Sequence, residues 1–173
     1  MIGYLTDMVI AQAYAKFNHK LICDKIAEIL YKINGAKVIE TVQSIHNYVS
    51  FDDKMIRKGA IKSYEGEKMV IPFNMRDGLA ICVGKSNEDW NCSAPHGAGR
   101  IMSRSKAKSN ISLEEFKESM NGIYTTSVCK NTIDESPMAY KDTNTIIEHI
   151  KDTCDILYMV KPVINIKSTD EED

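Results

Sequence analysis

At 173 residues, with 43% hydrophobic and 27% charged side chains, the chain is long enough for one domain with a real core. A formal net charge of −2 excludes a globally basic nucleic-acid-binding field, so any such surface has to be local. Five cysteines (Cys23, Cys82, Cys92, Cys129, Cys154) with no C-x-x-C pair, no closely spaced zinc ligands, no apolar run long enough to span a bilayer and no signal-peptide pattern point to a cytoplasmic protein with reduced thiols.

The segment YLTDMVIAQAYAKFNHKLICDKIAEILYKING (4–35) predicts a long helix. Leu5, Val9, Tyr14, Phe17, Leu21, Ile22, Ile26, Ile29, Leu30 and Ile33 recur at helical spacing, and Asn34-Gly35 supplies a stop. This stripe is expected to be a core-packing face. The texture then changes to β-like runs at 37–45, 55–64, 67–73 and 79–84, separated by turn chemistry. Asn87 to Arg104 is polar and loop-like, and GRIMSRSKAK leads into a short helix. Ser112 and Glu115 have capping-box spacing at the head of another helix, which Asn121-Gly122 closes. GIYTTSV predicts a strand, 143–154 a helix, and 155–166 a strand pair broken at Pro162. The acidic tail STDEED is expected to be solvated and frayed. With no repeats and no linker, 1–173 reads as a single α+β unit: a long N-terminal helix, a mixed or antiparallel sheet and additional helices. The first residues already lie within the helical pattern, so the chain reads as beginning inside something larger.

NCSAPHGAGR (91–100) holds one His with glycines behind it. Gly97, Ala98 and Gly99 leave room for a ligand and let backbone N–H groups converge on an anion. Arg100 and Arg104, spaced i,i+4, share a face if the segment is helical and can fork onto phosphate oxygens. A neutral His96 beside such donors can attack phosphorus; equally, it can be a turn residue with two surface arginines. His46-Asn47 follows a predicted strand, where His is a usual metal ligand and also a usual structural residue. Arg57, Lys58 and Arg76 flank glycines and either form a local positive groove or are solvated surface charge. Tyr140 can stack on a base and Lys167 can donate to a carbonyl. His19 and His149 lie on predicted helices without supporting partners and read as structural or exposed.

Taken together, HGAGR, followed two residues on by SR, resembles the signature of the RtcB-type RNA ligases, the tRNA-splicing ligases that join RNA ends using GTP. YLTDMVIAQAYAKFNHKLI, HN, RKGA, NMRDG, DESPMAYK and KPVINIK follow in that family's order and approximate spacing, over nearly the whole chain. The resemblance implies the α+β fold of the C-terminal part of such a ligase, and a mechanism. The signature His attacks the α-phosphate of GTP with manganese (Mn2+) assistance and forms a His–GMP adduct. GMP then passes to an RNA 3′-phosphate, derived from a 2′,3′-cyclic phosphate, and a 5′-hydroxyl end displaces it. Carried over residue by residue, His96 is the guanylylated nucleophile and His46 a manganese ligand. Asn47 contacts the nucleotide phosphates, Ala98 and Gly99 line the nucleotide pocket, Tyr140 and Lys167 frame the guanine, and Arg100 and Arg104 hold phosphate.

The departures from the family pattern are specific. His19 stands where the family usually has Arg, and Leu79 in PFNMRDGL stands where a hydroxyl is expected. The family's other metal ligands, a Cys near an Asp, a His in an NH pair and a His in an HxGSRG-like stretch, are not found in this sequence. The expectation is therefore a truncated or split ligase, with little ligation by the isolated chain. RNA ends are its expected partner, together with a separate N-terminal polypeptide. The alternative is a remnant that binds nucleotide or RNA ends without catalysis. A metal-dependent phosphohydrolase ranks last, because the carboxylate clusters of such enzymes are not evident.

Overall fold

The computed structural model describes residues 2–167, so the expectation for the acidic tail lies outside the described residues. The chain divides into two compact units, Met1–Lys58 and Gly59–Asp173.

The first unit is built on α1 (Ile2–Asn34), as its uninterrupted, proline-free helical pattern predicts. Gly35, at a φ of 74°, ends it, with its N–H donating to the Tyr31 carbonyl. Surface ion pairs Lys20–Asp24 and Lys32–Glu28, both i,i+4, brace the exposed face. The apolar stripe is not a core. Val9, Tyr14, Phe17, Leu21, Ile22, Ile26, Ile29, Leu30 and Ile33 are all at least 45% exposed, whereas Met8 and Gln12 are only half-buried. Residues 36–46 run without regular structure, which corrects the strand expected over 37–45. The β-branched residues Val38, Ile39, Thr41, Val42 and Ile45 favour extended backbone, but among the described residues no strand pairs with this segment, and Ile39 is 98% exposed. β1 (Tyr48–Ser50) then pairs antiparallel with β2 (Met55–Arg57).

The second unit opens with β3 (Ala60–Lys62), β4 (Lys68–Asn74), β5 (Gly78–Gly84) and β6 (Ser93–Pro95). There follow α2 (Arg104–Asn110), α3 (Leu113–Ser119), β7 (Tyr124–Thr125), α4 (Thr143–Ile150), β8 (Cys154–Val160) and β9 (Ile164–Asn165). β5 is the middle strand of an antiparallel sheet with β4 and β8 on its flanks. β4 buries Met69, Ile71 and Phe73 and exposes Lys68 and Pro72, as period-two alternation requires. These three, with Ile61, Cys82, Ala98, Ile146 and Ile150, form one apolar core. A second core gathers Met75, Ala107, Phe116, Met120, Ile133 and Ala139 around α2 and α3. β3 pairs antiparallel with β6, and β7 pairs parallel with β9.

The α+β class with a long N-terminal helix and mixed strand pairing is as expected. No helix among the described residues is long and apolar enough to cross a membrane.

Candidate active site

His96 follows β6 directly, and that strand's pairing with β3 brings it against Gly59. The imidazole Nδ1 lies 2.7 Å from the Gly59 carbonyl oxygen. A carbonyl only accepts, so Nδ1 is the protonated nitrogen and Nε2 carries the ring's lone pair. Gly59 holds a φ of 70°, a left-handed conformation that strains any residue with a Cβ, so the glycine of RKGA sets the direction of the carbonyl that orients His96. Gly97 is needed for a different reason: a Cβ there would stand 3.0 Å from the Pro72 carbonyl oxygen, which accepts from the Ala98 N–H at 3.1 Å. Ala98 is thereby buried in the first core, while Gly99 stays exposed at the loop's turn.

The loop then joins the DESPMAYK segment. The Ile101 N–H donates to the Ala139 carbonyl (2.9 Å) and the Lys141 N–H to the Gly99 carbonyl (3.1 Å), leaving Arg100 opposite Tyr140 in an antiparallel bridge. The Arg100 guanidinium lies 4.8 Å from the centre of the Tyr140 ring and donates to its hydroxyl at 3.1 Å. It also donates to Glu135 at 2.6 Å and to the Asp134 backbone carbonyl. Arg104 reaches the Asp134 carboxylate at 3.6 Å. The shared helix face expected for the two arginines is not what relates them. Arg100 precedes α2, Arg104 begins it, and they meet through the acidic pair at 134–135.

Lys167 arrives from the far end of the chain. Buried Ser127 holds its backbone on both sides, accepting from the Lys167 N–H (2.8 Å) and donating to the Lys167 carbonyl (3.0 Å). The Lys167 ammonium donates to Glu135 at 2.7 Å, and the Tyr140 hydroxyl donates to the same carboxylate oxygen at 2.8 Å. Burial, together with the hydrogen bond to Glu135, pushes the Tyr140 phenol up to about 12. Burial alone would raise the Glu135 carboxyl. Its bonds to Lys167 and Tyr140, with the charges of Lys167 and Arg100, outweigh this and hold it below the usual carboxylate range.

His96, Ala98, Gly99, Arg100, Arg104, Tyr140 and Lys167 all line one cleft of about 740 Å3, with Leu79 and Asn165 also in its wall. That volume suits a nucleotide-sized ligand. Arg100, Arg104 and Lys167 supply three cationic side chains, and Glu135 is the one carboxylate in the wall among the described residues. The Leu79 side chain offers this wall no hydroxyl.

His46 and Asn47 belong to the first unit, where they line a smaller cavity of about 280 Å3 with Gln12, His19 and Tyr48. Among the described residues no three His, Cys, Asp or Glu side chains cluster so as to hold a metal ion. The residues present therefore do not by themselves fit manganese. Arg57 is not a groove cation either: it is buried and paired with Asp53 at 2.7 Å and with the Tyr48 hydroxyl at 3.3 Å. Arg76 is exposed and forks onto Asp77, and His149 is exposed on α4. Sequence reasoning missed Gly59, Ser127 and Glu135. Only the order of motifs around them could have signalled their part, because each acts on a residue far away in the chain.

The model of the tRNA-splicing ligase RtcB family matches residues 1–168. The chain belongs to the RtcB family. Among its relatives, the RNA-splicing ligase RtcB of Escherichia coli (strain K12) is 31% identical over 180 residues, covering 95% of this chain and 43% of that protein. The tRNA-splicing ligase RtcB of Aeropyrum pernix is 36% identical over 181 residues, covering 84% of this chain and 37% of its own length. That of Nanoarchaeum equitans is 28% identical over 200 residues, covering 95% and 42%. This RtcB chain thus spans less than half the length of these relatives.

Proposed function

We propose that the chain is the nucleotide-accepting part of a GTP-dependent RNA ligase, joining RNA 2′,3′-cyclic phosphate or 3′-phosphate ends to 5′-hydroxyl ends. The observation that carries this reading is the His96 imidazole, set with Nδ1 on the Gly59 carbonyl in the wall of a cleft that also presents Arg100, Arg104, Tyr140 and Lys167. His96 attacks the α-phosphorus of GTP through Nε2: an N–P bond forms, the bond to the bridging oxygen breaks, and pyrophosphate leaves. Gly59 keeps the proton on Nδ1 while this happens. Arg100 and Arg104 offset phosphate charge, Ala98 and Gly99 form the floor, and Tyr140 and Lys167 take the guanine. The resulting His96–GMP then serves the RNA 3′-phosphate.

In this reading His46 is one manganese ligand and Asn47 a phosphate contact. The remaining ligands come from outside this chain, on a separate N-terminal polypeptide or on sequence of the same protein. The described residues hold no cluster able to bind the ion, and the curated relatives extend well past the matched region. Residues 1–173 act as one functional piece in the cytoplasm. The test is incubation with α-labelled GTP and manganese, alone and with an N-terminal fragment of an RtcB relative. Acid-labile label is expected on the wild type when the fragment is present, and none on His96→Ala. Strong labelling of the chain alone would overturn the claim that it lacks ligands. Tight GTP binding with no adduct under either condition favours the non-catalytic binding module.

A further inference from the structure

We infer that Glu135 is a positioning residue that sets the base preference of the cleft, an inference that rests on reading the cleft as a GTP site. One half-buried carboxylate here serves three residues from distant parts of the chain. Oε1 accepts from Arg100 at 2.6 Å, and Oε2 accepts from the Tyr140 hydroxyl at 2.8 Å and the Lys167 ammonium at 2.7 Å. Glu135 is fixed in turn by its position at the end of a 3-10 segment, Lys130–Glu135, whose neighbours Ile133 and Asp134 are buried.

The consequence is a fixed pattern of donors. The Tyr140 hydroxyl gives its only proton to Glu135 and accepts from Arg100, so it has none to offer a ligand. The Lys167 ammonium gives one of its N–H groups to Glu135 and keeps its others for the cleft it lines. Of these two side chains Lys167 alone therefore presents N–H donors to the base, while Tyr140 presents its ring. Guanine meets such a wall with two acceptors, O6 and N7, whereas adenine replaces O6 with an amino donor. Glu135 enforces that choice without touching the base, because it anchors both the ammonium and the phenol.

Replacing the carboxylate by an amide breaks this arrangement in a defined way. The Glu135→Gln side chain keeps one acceptor oxygen and adds two N–H groups among three donors, so at least one of Arg100, Tyr140 and Lys167 loses its partner. Lys167, no longer anchored, recovers its side-chain freedom and can turn from the base.

The experiment measures displacement of a fluorescent GTP analogue from the full 173-residue chain by GTP and by ATP, in wild type, Glu135→Gln and Glu135→Asp. The Tyr140 phenol is followed by NMR in the same proteins. Glu135→Gln is expected to weaken GTP about tenfold, by loss of a charge-assisted contact, and ATP by less than about threefold, so the preference for GTP collapses. The Tyr140 titration moves down toward its ordinary range, and Glu135→Asp restores part of both effects. An equal loss for GTP and ATP identifies a merely structural residue and overturns the inference, as does an unchanged GTP preference in Glu135→Gln. A wild-type chain that binds neither nucleotide overturns the reading of the cleft itself, and the inference with it. An unmoved Tyr140 titration shows that the carboxylate does not hold the phenol and also sinks the proposal.

Discussion

A neutral imidazole has one ring nitrogen that donates and one that accepts, and the Gly59 carbonyl decides which is which for His96. A comparable single-residue device stands at the β4–β5 turn, where Asp77 takes the Arg76 guanidinium at 2.7 Å, the Asn74 amide at 2.8 Å and the Thr143 hydroxyl at 2.8 Å. Arg76 above all, then Asn74 and Thr143, hold the Asp77 carboxyl at about 2, against an ordinary value of 3.8. A carboxyl whose folded value lies below its unfolded one adds stability above the unfolded value and loses it as pH falls through the folded one. Asp77 therefore supports the turn fully above about pH 4 and ceases to do so as pH drops toward 2. Urea midpoints of wild type and Asp77→Asn should differ by a constant amount between pH 5 and 7, taken as a range of about two units, and converge as pH falls below about 4. A gap that stays constant down to acid would mean that the charge of Asp77 contributes nothing.

At the scale of elements, α3 illustrates what local chemistry can specify. The Glu115 N–H donates to Ser112 Oγ at 3.1 Å, and the Ser112 N–H donates to the Glu115 carboxylate at 2.9 Å, completing the box that the spacing predicts. Phe116, fully buried, then ties the helix to the second core. Ser112→Ala removes the cap and is expected to cost about 1 kcal/mol, read as a lower urea midpoint with an unchanged slope. A change in slope would mean that α3 melts separately from its core. Signals of this kind were legible because both partners lie within four residues. β4 and β5 were legible for a related reason, since each carries its own burial pattern. The segment 37–45 is rich in β-branched residues, yet forms no strand, because a strand depends on a neighbour that composition does not supply. The site divides in the same way. His96, Arg100, Tyr140 and Lys167 were singled out from their chemistry and motif order, and the structure brings them to the wall of one cleft. Glu135, Gly59 and Ser127 were not, since a carboxylate, a carbonyl and a hydroxyl gain their roles only when β6, the 3-10 segment and the chain end converge.

For the whole molecule, α1 poses the largest physical question. Ile22, Ile26, Ile29 and Ile33 stand at i, i+4, i+7 and i+11, one continuous row, and each is about half exposed or more. The periodicity marked a continuous apolar face but not whether anything covers it, and the core-packing role expected for it is not what the structure shows. Soluble monomers rarely leave a contiguous apolar patch of this length in water, because every exposed methylene forgoes about 0.8 kcal/mol of burial. The purified chain is therefore expected to self-associate as its concentration rises and to enhance the fluorescence of an apolar dye. Ile26→Glu, at the middle of the row, should shift sedimentation toward the monomer and lower the dye signal. Glu is a better helix former than Ile, so circular dichroism should show the helix retained and separate lost stickiness from lost structure. If the wild type stays monomeric and dark to the dye at high concentration, the row is covered within the chain itself and the exposed face is not its state in solution. If Ile26→Glu removes self-association with helicity intact, the row is the surface through which this chain seeks apolar cover.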